Sequence, residues 1–151
     1  MIRPHGSDAL IPLLVDDPAR RETLQKEAEA LPSLLLNSAA AANAVMLGAG
    51  YFTPLKGFMS KQDILSVAKK MRTVDGVFWP VPVANLTDQG DAFKAGDRIA
   101  LRDPNVEGAP VIAIQDITAA ERLSSDELAL IAREVYGTTD EDHPGVATFM
   151  S

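Results

Sequence analysis

The sequence predicts an α+β domain with several helices, helical through its N-terminal half and rich in strands thereafter. Three observations carry that prediction. Up to Met71 the apolar residues recur mostly at helical spacing, behind residues suited to cap a helix. From Val77 to Ile117 they fall into short β-prone runs bounded by Gly, Pro and Asp turns. Residues 124–136 then return to a clear helical period.

The 151 residues amount to one domain, expected as a single unit over 1–151 with no internal boundary. A chain of this size buries roughly two-thirds of its unfolded surface, enough for a core without covalent staples. Apolar residues at 46% and charged residues at 23% are ordinary for a globular protein. The lack of cysteine excludes disulfides and thiolate metal sites, and histidine at only His5 and His143 excludes a His-rich metal centre. A net charge of −7 weighs against non-specific binding to nucleic acid or anionic lipid. The first residues lack the apolar core of a signal peptide. No apolar run approaches the roughly 18–20 residues that span a bilayer. The expectation is a soluble cytoplasmic protein with no membrane or nucleic-acid partner.

Taken in order, Leu10–Val15 reads as a short strand or an extended arm. Asp17-Pro18 starts a helix, since Asp is a good N-cap and Pro suits the first helical position. Leu24, Ala28 and Leu31 share its face, Glu22 and Lys26 form an i,i+4 pair, and Pro32 stops it. Leu34–Leu36 reads as a short buried strand. Ser38 is expected to cap an Ala-rich helix over 39–47 that ends at Gly48. Ser60 caps a third helix striped by Ile64, Ala68 and Met71.

Val77–Ala84 is β-prone, but Pro80 and Pro82 confine it to an edge or an irregular strand. Arg98–Arg102 alternates with period two, and Val111–Ile117 is the clearest strand. Ser124 and Glu127 have capping-box spacing before the Leu128, Ile131, Ala132, Val135 face, and Gly137 ends that helix. Val146–Ser151 looks extended. So apolar an end suggests a segment of something longer, with a packed terminal strand as the alternative.

The stretch Gly48–Met59 joins three glycines and a proline to Tyr51, Phe52, Leu55, Phe58 and Met59. Gly and Pro break a helix, and that much apolar surface needs burial, so it reads as an ordered turn pinned into a core or an interface. Gly48-Ala49-Gly50 lacks the helix and the Lys-Ser/Thr of a P-loop and is a helix stop. His143, beside Asp140, Glu141 and Asp142, invites a metal or general-base role. With no second His or Cys nearby it reads better as a hydrogen-bonded loop residue. The basic residues Lys56, Lys61, Lys69, Lys70 and Arg72 suit a solvated helix face more than an anion site, as do Arg98 and Arg102. Trp79 reads as core or interface. No Gly-x-Ser-x-Gly elbow is present, and the residues alone specify no reaction.

Gly50-Tyr51-Phe52-Thr53-Pro54-Leu55-Lys56-Gly57-Phe58-Met59 resembles the Gly-x-Phe-Ser-Pro-Leu-x-Gly-Phe-Met signature of ATP sulfurylases (sulfate adenylyltransferases). Leu31-Pro32-Ser33, Met71-Arg72, Asp75-Gly76, Trp79-Pro80-Val81-Pro82, Gly96–Pro104, Tyr136–Asp140 and His143–Val146 resemble further segments of that family, in the same order. The resemblance implies a PUA-like β pseudo-barrel decorated with helices, the N-terminal region of an enzyme that joins ATP and sulfate, with Mg²⁺, into adenosine 5′-phosphosulfate and pyrophosphate.

It implies Phe52, Pro54, Leu55, Gly57, Phe58, Met59, His143 and Pro144 as structural or interdomain signature residues, with Phe52 and Phe58 as anchors. The catalytic Gln-x-Arg-Asn-Pro-x-His and Gly-Arg-Asp-His segments are missing from these residues. No catalytic, cofactor-binding or metal residue is therefore carried over, and the chain alone is expected to be inactive. ATP and Mg²⁺ belong to the full-length enzyme. The implied partners are the catalytic domain of the same polypeptide and further copies in a homo-oligomer. The alternative is a free-standing PUA-like binding module, for RNA or another ligand.

Overall fold

A computed structural model of the protein describes residues 2–150; Met1 of the N-terminal arm and Ser151 of the apolar end lie outside the described residues. The chain divides into two compact units, each drawn from two separated stretches. The first comprises residues 1–58 and 84–120, the second 59–83 and 121–151. No linker in the sequence marks the division, because each unit is assembled from segments with ordinary composition.

The first unit is built on three strands: β1 (Ser33–Leu35), β2 (Arg98–Arg102) and β3 (Val111–Asp116). The order is β1-β2-β3, with β1 parallel and β3 antiparallel to the central β2. Leu34 aligns with Leu101, and Ala100 with Ile114. The register slips between Leu101 and Arg102, leaving Ile112 as the extra residue of a bulge. Ile99, Ala100 and Leu101 are all buried, so β2 is enclosed on both faces. Ile99 and Leu101 pack with Leu34, Leu36, Ala40, Ala41 and Ile117, and with half-buried Phe58 and Phe93 around them.

Two helices flank this sheet. Helix α1 (Pro18–Ala30) starts where Asp17 accepts the Ala19 N–H at 3.0 Å, and Glu22 pairs with Lys26 at 2.7 Å. It stops because Leu31 takes an extended backbone ahead of Pro32. Helix α2 (Ser38–Gly48) is capped by Asn37, whose Oδ1 accepts the Ala40 N–H at 2.8 Å. The expected cap, Ser38, is instead its first residue and donates to Asn105 Oδ1 at 2.7 Å. Residues 10–15 carry no strand pairing and form an arm laid on the end of α2.

The second unit is helical. Helix α3 (Lys61–Lys70) begins at the Ser60 cap and ends at Met71 in the left-handed conformation, φ 51°. Helix α4 (Ser125–Tyr136) opens with both halves of the Ser124–Glu127 capping box and ends at Gly137, φ 74°. Helix α5 (Pro144–Met150) replaces the extended end expected from Val146 onward. Pro144 occupies its first position, and His143 Nδ1 accepts the Gly145 and Val146 N–H groups at 3.2 and 3.4 Å, which nucleates a turn that a short apolar run does not announce. The second half of the chain thus holds two helices beside its two strands.

Between α3 and α4, Val77–Ala84 makes no strand. It forms a single bridge, Arg72 to Phe78, because Pro80 and Pro82 withhold the donors a ladder needs. Ile64, Val67, Ala68, Trp79, Val83, Ile131, Ala132 and Val146 are among the buried residues of this unit. The sheet is a three-stranded mixed sheet with β1 and β3 outermost, and a closed barrel wall is not formed by these strands.

Gly50 is where the fold most needs glycine. Its φ is +78°, and a Cβ there would lie 3.1 Å from Pro12 N and 3.2 Å from Pro12 Cα. Gly76 shares the positive φ, +87°, but faces open space. Gly76→Ala is expected to cost about 1 kcal/mol from the left-handed backbone alone, and Gly50→Ala clearly more, about 2–3 kcal/mol. Urea unfolding of the two variants checks the difference.

Candidate functional site

Five of the six signature residues at 52–59 belong to the first unit, while Met59, His143 and Pro144 belong to the second, the last two at the start of α5. The turn is assembled from its backbone. Gly50 and Tyr51 N–H groups close back onto Leu47 and Met46 carbonyls at 3.0 Å each. Thr53, only 5% exposed, is its hub: the hydroxyl donates to Gly50 O at 2.7 Å and accepts the Ile11 N–H at 3.0 Å. Leu13 and Leu14 donate to the Gly48 carbonyl at 2.9 and 3.0 Å, so the arm and the turn are stitched at three points. The Thr53–Pro54 peptide is cis, and Leu55 N–H donates to Phe52 O at 2.7 Å.

Phe52, Pro54, Leu55 and Phe58 are half-buried, and Phe58 packs on the β2 core cluster. Gly57 has nothing within 4 Å of a Cβ position, so no neighbour demands glycine there. Met59 opens the second unit. It is buried, its N–H donates to Val83 O at 2.8 Å, and its Sδ accepts the Val83 N–H at 3.4 Å. Tyr51 instead points outward, 74% exposed. Pro4, His5 and Leu10 of the arm and Gly50, Tyr51 and Thr53 of the turn line an open surface hollow of about 380 Å³.

Of the charged residues weighed as ligand sites, Arg72, Arg98 and Arg102 have structural partners. Arg98 Nη1 donates to both Asp116 oxygens at 2.9 and 3.1 Å, and its Nε lies 2.8 Å from Glu27 Oε1, an ion pair without hydrogen-bond alignment. Arg102 donates to Ala109 O, and Arg72 to Gly76 O, each at 3.0 Å. Trp79 is buried, with its N–H on Met71 O. His143 caps α5 through Nδ1, 5.6 Å from the Tyr136 ring, and Asp140 accepts the Asp142 N–H. Among the described residues no three His, Cys, Asp or Glu side chains converge as a metal site. These interactions hold loops and strand ends in place; they position no nucleophile or base against a substrate.

A clasp in the second unit escapes sequence reasoning. Lys61 donates from its backbone to Glu121 Oε2 at 3.1 Å, from Nζ to Arg122 O at 2.9 Å, and its Nζ meets Glu127 Oε2 at 2.8 Å. The capping box foreshadows the carboxylate's place; nothing local announces that Lys61, sixty-odd residues earlier, completes it.

A PUA-like domain family model matches residues 2–151. The chain belongs to the PUA-like domain family. It is 54% identical over 151 residues to the sulfate adenylyltransferase of Alcanivorax borkumensis and 55% identical to that of Allochromatium vinosum; each alignment covers all of this chain and 38% of the relative. The sulfate adenylyltransferase of the Riftia pachyptila sulfur-oxidizing endosymbiont is 48% identical, with 34% of its length covered. The chain thus spans little more than a third of the curated relatives it matches. Among solved structures, a hexameric APS kinase from Thiobacillus denitrificans superposes with a TM-score of 0.63 at 33% identity, over 78% of this chain and 23% of that one. No helix among the described residues is long and apolar enough to cross a membrane.

Two outcomes test this geometry. Thr53→Val keeps the shape but loses both hydroxyl bonds and leaves the Ile11 N–H without its partner, while Gly50 O keeps the Thr53 N–H, so it is expected to cost about 1–3 kcal/mol, with Thr53→Ser nearer to wild type; chemical unfolding reads both.

The second concerns Glu127, whose carboxyl is held below the ordinary glutamate range, chiefly by the hydrogen bond from Lys61 and then by the Ser124 N–H. A folded value below the unfolded one means that the unfolded chain binds the proton more tightly. The stabilisation is therefore complete above the unfolded value and is lost as pH falls through the lowered folded one. Glu127→Gln is expected to melt below wild type at neutral pH, with the gap closing in acid; a gap independent of pH contradicts this origin.

Proposed function

We propose that this chain is the N-terminal, non-catalytic domain of a sulfate adenylyltransferase, serving as a scaffold for the catalytic domain of the same polypeptide. The observation that carries the reading is the alignment of all 151 residues, at 54–55% identity, with sulfate adenylyltransferases more than twice as long. The whole enzyme joins ATP and sulfate to give adenosine 5′-phosphosulfate and pyrophosphate, in a cytoplasmic setting.

The donor groups of this domain do not fit the Mg²⁺ and nucleotide of that reaction, because its carboxylates and histidines are dispersed or tied to backbone groups. No step is assigned to them. In-line attack of a sulfate oxygen on the α-phosphorus needs concentrated positive charge, and Arg72, Arg98 and Arg102 here are committed to structural partners.

The same reading extends to architecture and assembly. Residues 1–151 act as one PUA-like domain, with the three-stranded sheet as part of a pseudo-barrel wall. A homo-oligomer of the whole polypeptide is favoured by the hexameric name of the structural neighbour.

Sulfate-dependent release of pyrophosphate from ATP tests the proposal. The 151-residue chain is expected to release none, and a chimera that continues it with the remaining region of the Allochromatium vinosum relative is expected to release it. Turnover by the short chain contradicts the scaffold role; an inactive but folded chimera contradicts the assignment to this enzyme.

A further inference from the structure

The N-terminal arm and the end of α2 present an apolar face that this domain does not use. Leu10, Leu13 and Leu14 of the arm are exposed, as are Val45, Met46 and Tyr51 at the helix end and turn. They lie near one another along the arm and the end of α2. Leu10 and Tyr51 line the same hollow, Leu13 and Leu14 donate to Gly48 O, and Tyr51 donates to Met46 O. A Cβ at Gly48 would lie 3.4 Å from Leu14 Cδ2. Single exposed leucines are ordinary, but a contiguous cluster of this kind marks an interaction site. It is also fixed in advance, since Thr53 and Gly48 tie arm to turn, so little ordering entropy remains to oppose docking.

Its electrostatics narrow the partner. From Ala30 to Leu55 there is no Asp, Glu, Lys, Arg or His, and from Ala9 to Val15 there is none either. These two stretches bring no charged side chain to the face, which suits a permanent apolar contact. A second copy is disfavoured: each carries −7, and these stretches bring no charge with which to offset the repulsion. A segment of the same polypeptide is tethered at high effective concentration and pays no such penalty. The sulfate adenylyltransferases aligned above carry more than half their length outside the matched region. We infer that the face formed by Leu10, Leu13, Leu14, Val45, Met46 and Tyr51 is the seat of the catalytic region of the same chain. The inference rests on the reading under Proposed function.

The chain has no cysteine, so single thiols report on the face directly. Leu14→Cys and Tyr51→Cys, with Val74→Cys as an exposed control in the other unit, are labelled with a maleimide and the adducts located by mass spectrometry. All three are expected to react rapidly in the 151-residue protein. In the chimera with the remaining Allochromatium vinosum region, positions 14 and 51 should slow by at least about tenfold, since reaction then waits on local opening, while position 74 is unchanged.

Equal labelling in a chimera that releases pyrophosphate overturns the docking face and leaves the proposed function standing. Protection that dilution abolishes assigns the face to a second copy and also overturns it. A chimera that is folded by circular dichroism yet shows neither protection nor pyrophosphate release removes both readings. As a second readout, Tyr51→Ser should leave the melting temperature of the short chain unchanged and lower that of the chimera; equal effects in the two count against the inference.

Discussion

The hydroxyl of Thr53 is the contact on which the character of this domain's surface depends. It joins Gly50 O to the Ile11 N–H, two points about a quarter of the chain apart in sequence, inside a region with few polar groups. Because the hydroxyl is buried, leaving the Ile11 N–H without it costs more than the bond returns in water. That asymmetry fixes the arm against the turn. Gly50 permits the approach by presenting no Cβ to Pro12, and Gly48 supplies the carbonyl that receives Leu13 and Leu14. The turn therefore works as a brace, and the side chains left over from bracing make its apolar face.

The sheet beneath it follows a different logic. β2 is enclosed on both faces and pairs with β1 in parallel, so β1 and β2 must be linked by a long crossover. That crossover contains α2, the brace, the first half of the second unit and the short Gly90–Ala92 turn. The topology thus explains why both units are discontinuous in sequence, and why Phe58 and Met59, adjacent in the chain, serve different cores.

Much of this was legible from residues. The Asp17-Pro18 start, the Ser60 cap, the Ser124–Glu127 box and the Gly137 stop are local chemistry and appear as expected. So do β2 and β3, whose β-branched and apolar runs lie between turn residues. What escaped was non-local or competitive. Asn37 displaced Ser38 as cap because Ser38 has a partner in Asn105, far along the chain. Val146–Met150 joined a helix because the His143 ring, and not a run of periodic residues, satisfies its first amides. Phe52 and Phe58 are half-buried, and the turn's buried polar residue is Thr53. Its composition showed that the stretch had to pack, but not that a hydroxyl would hold it.

Native-state hydrogen exchange at the arm tests the brace most directly. If Thr53 and Gly48 hold the arm as described, the Ile11, Leu13 and Leu14 amides exchange with protection close to that of the turn amides of Thr53 and Leu55, as one cooperative unit. If those three exchange at the rate of unstructured peptide while the turn stays protected, the arm is not braced, and the apolar face has no fixed form.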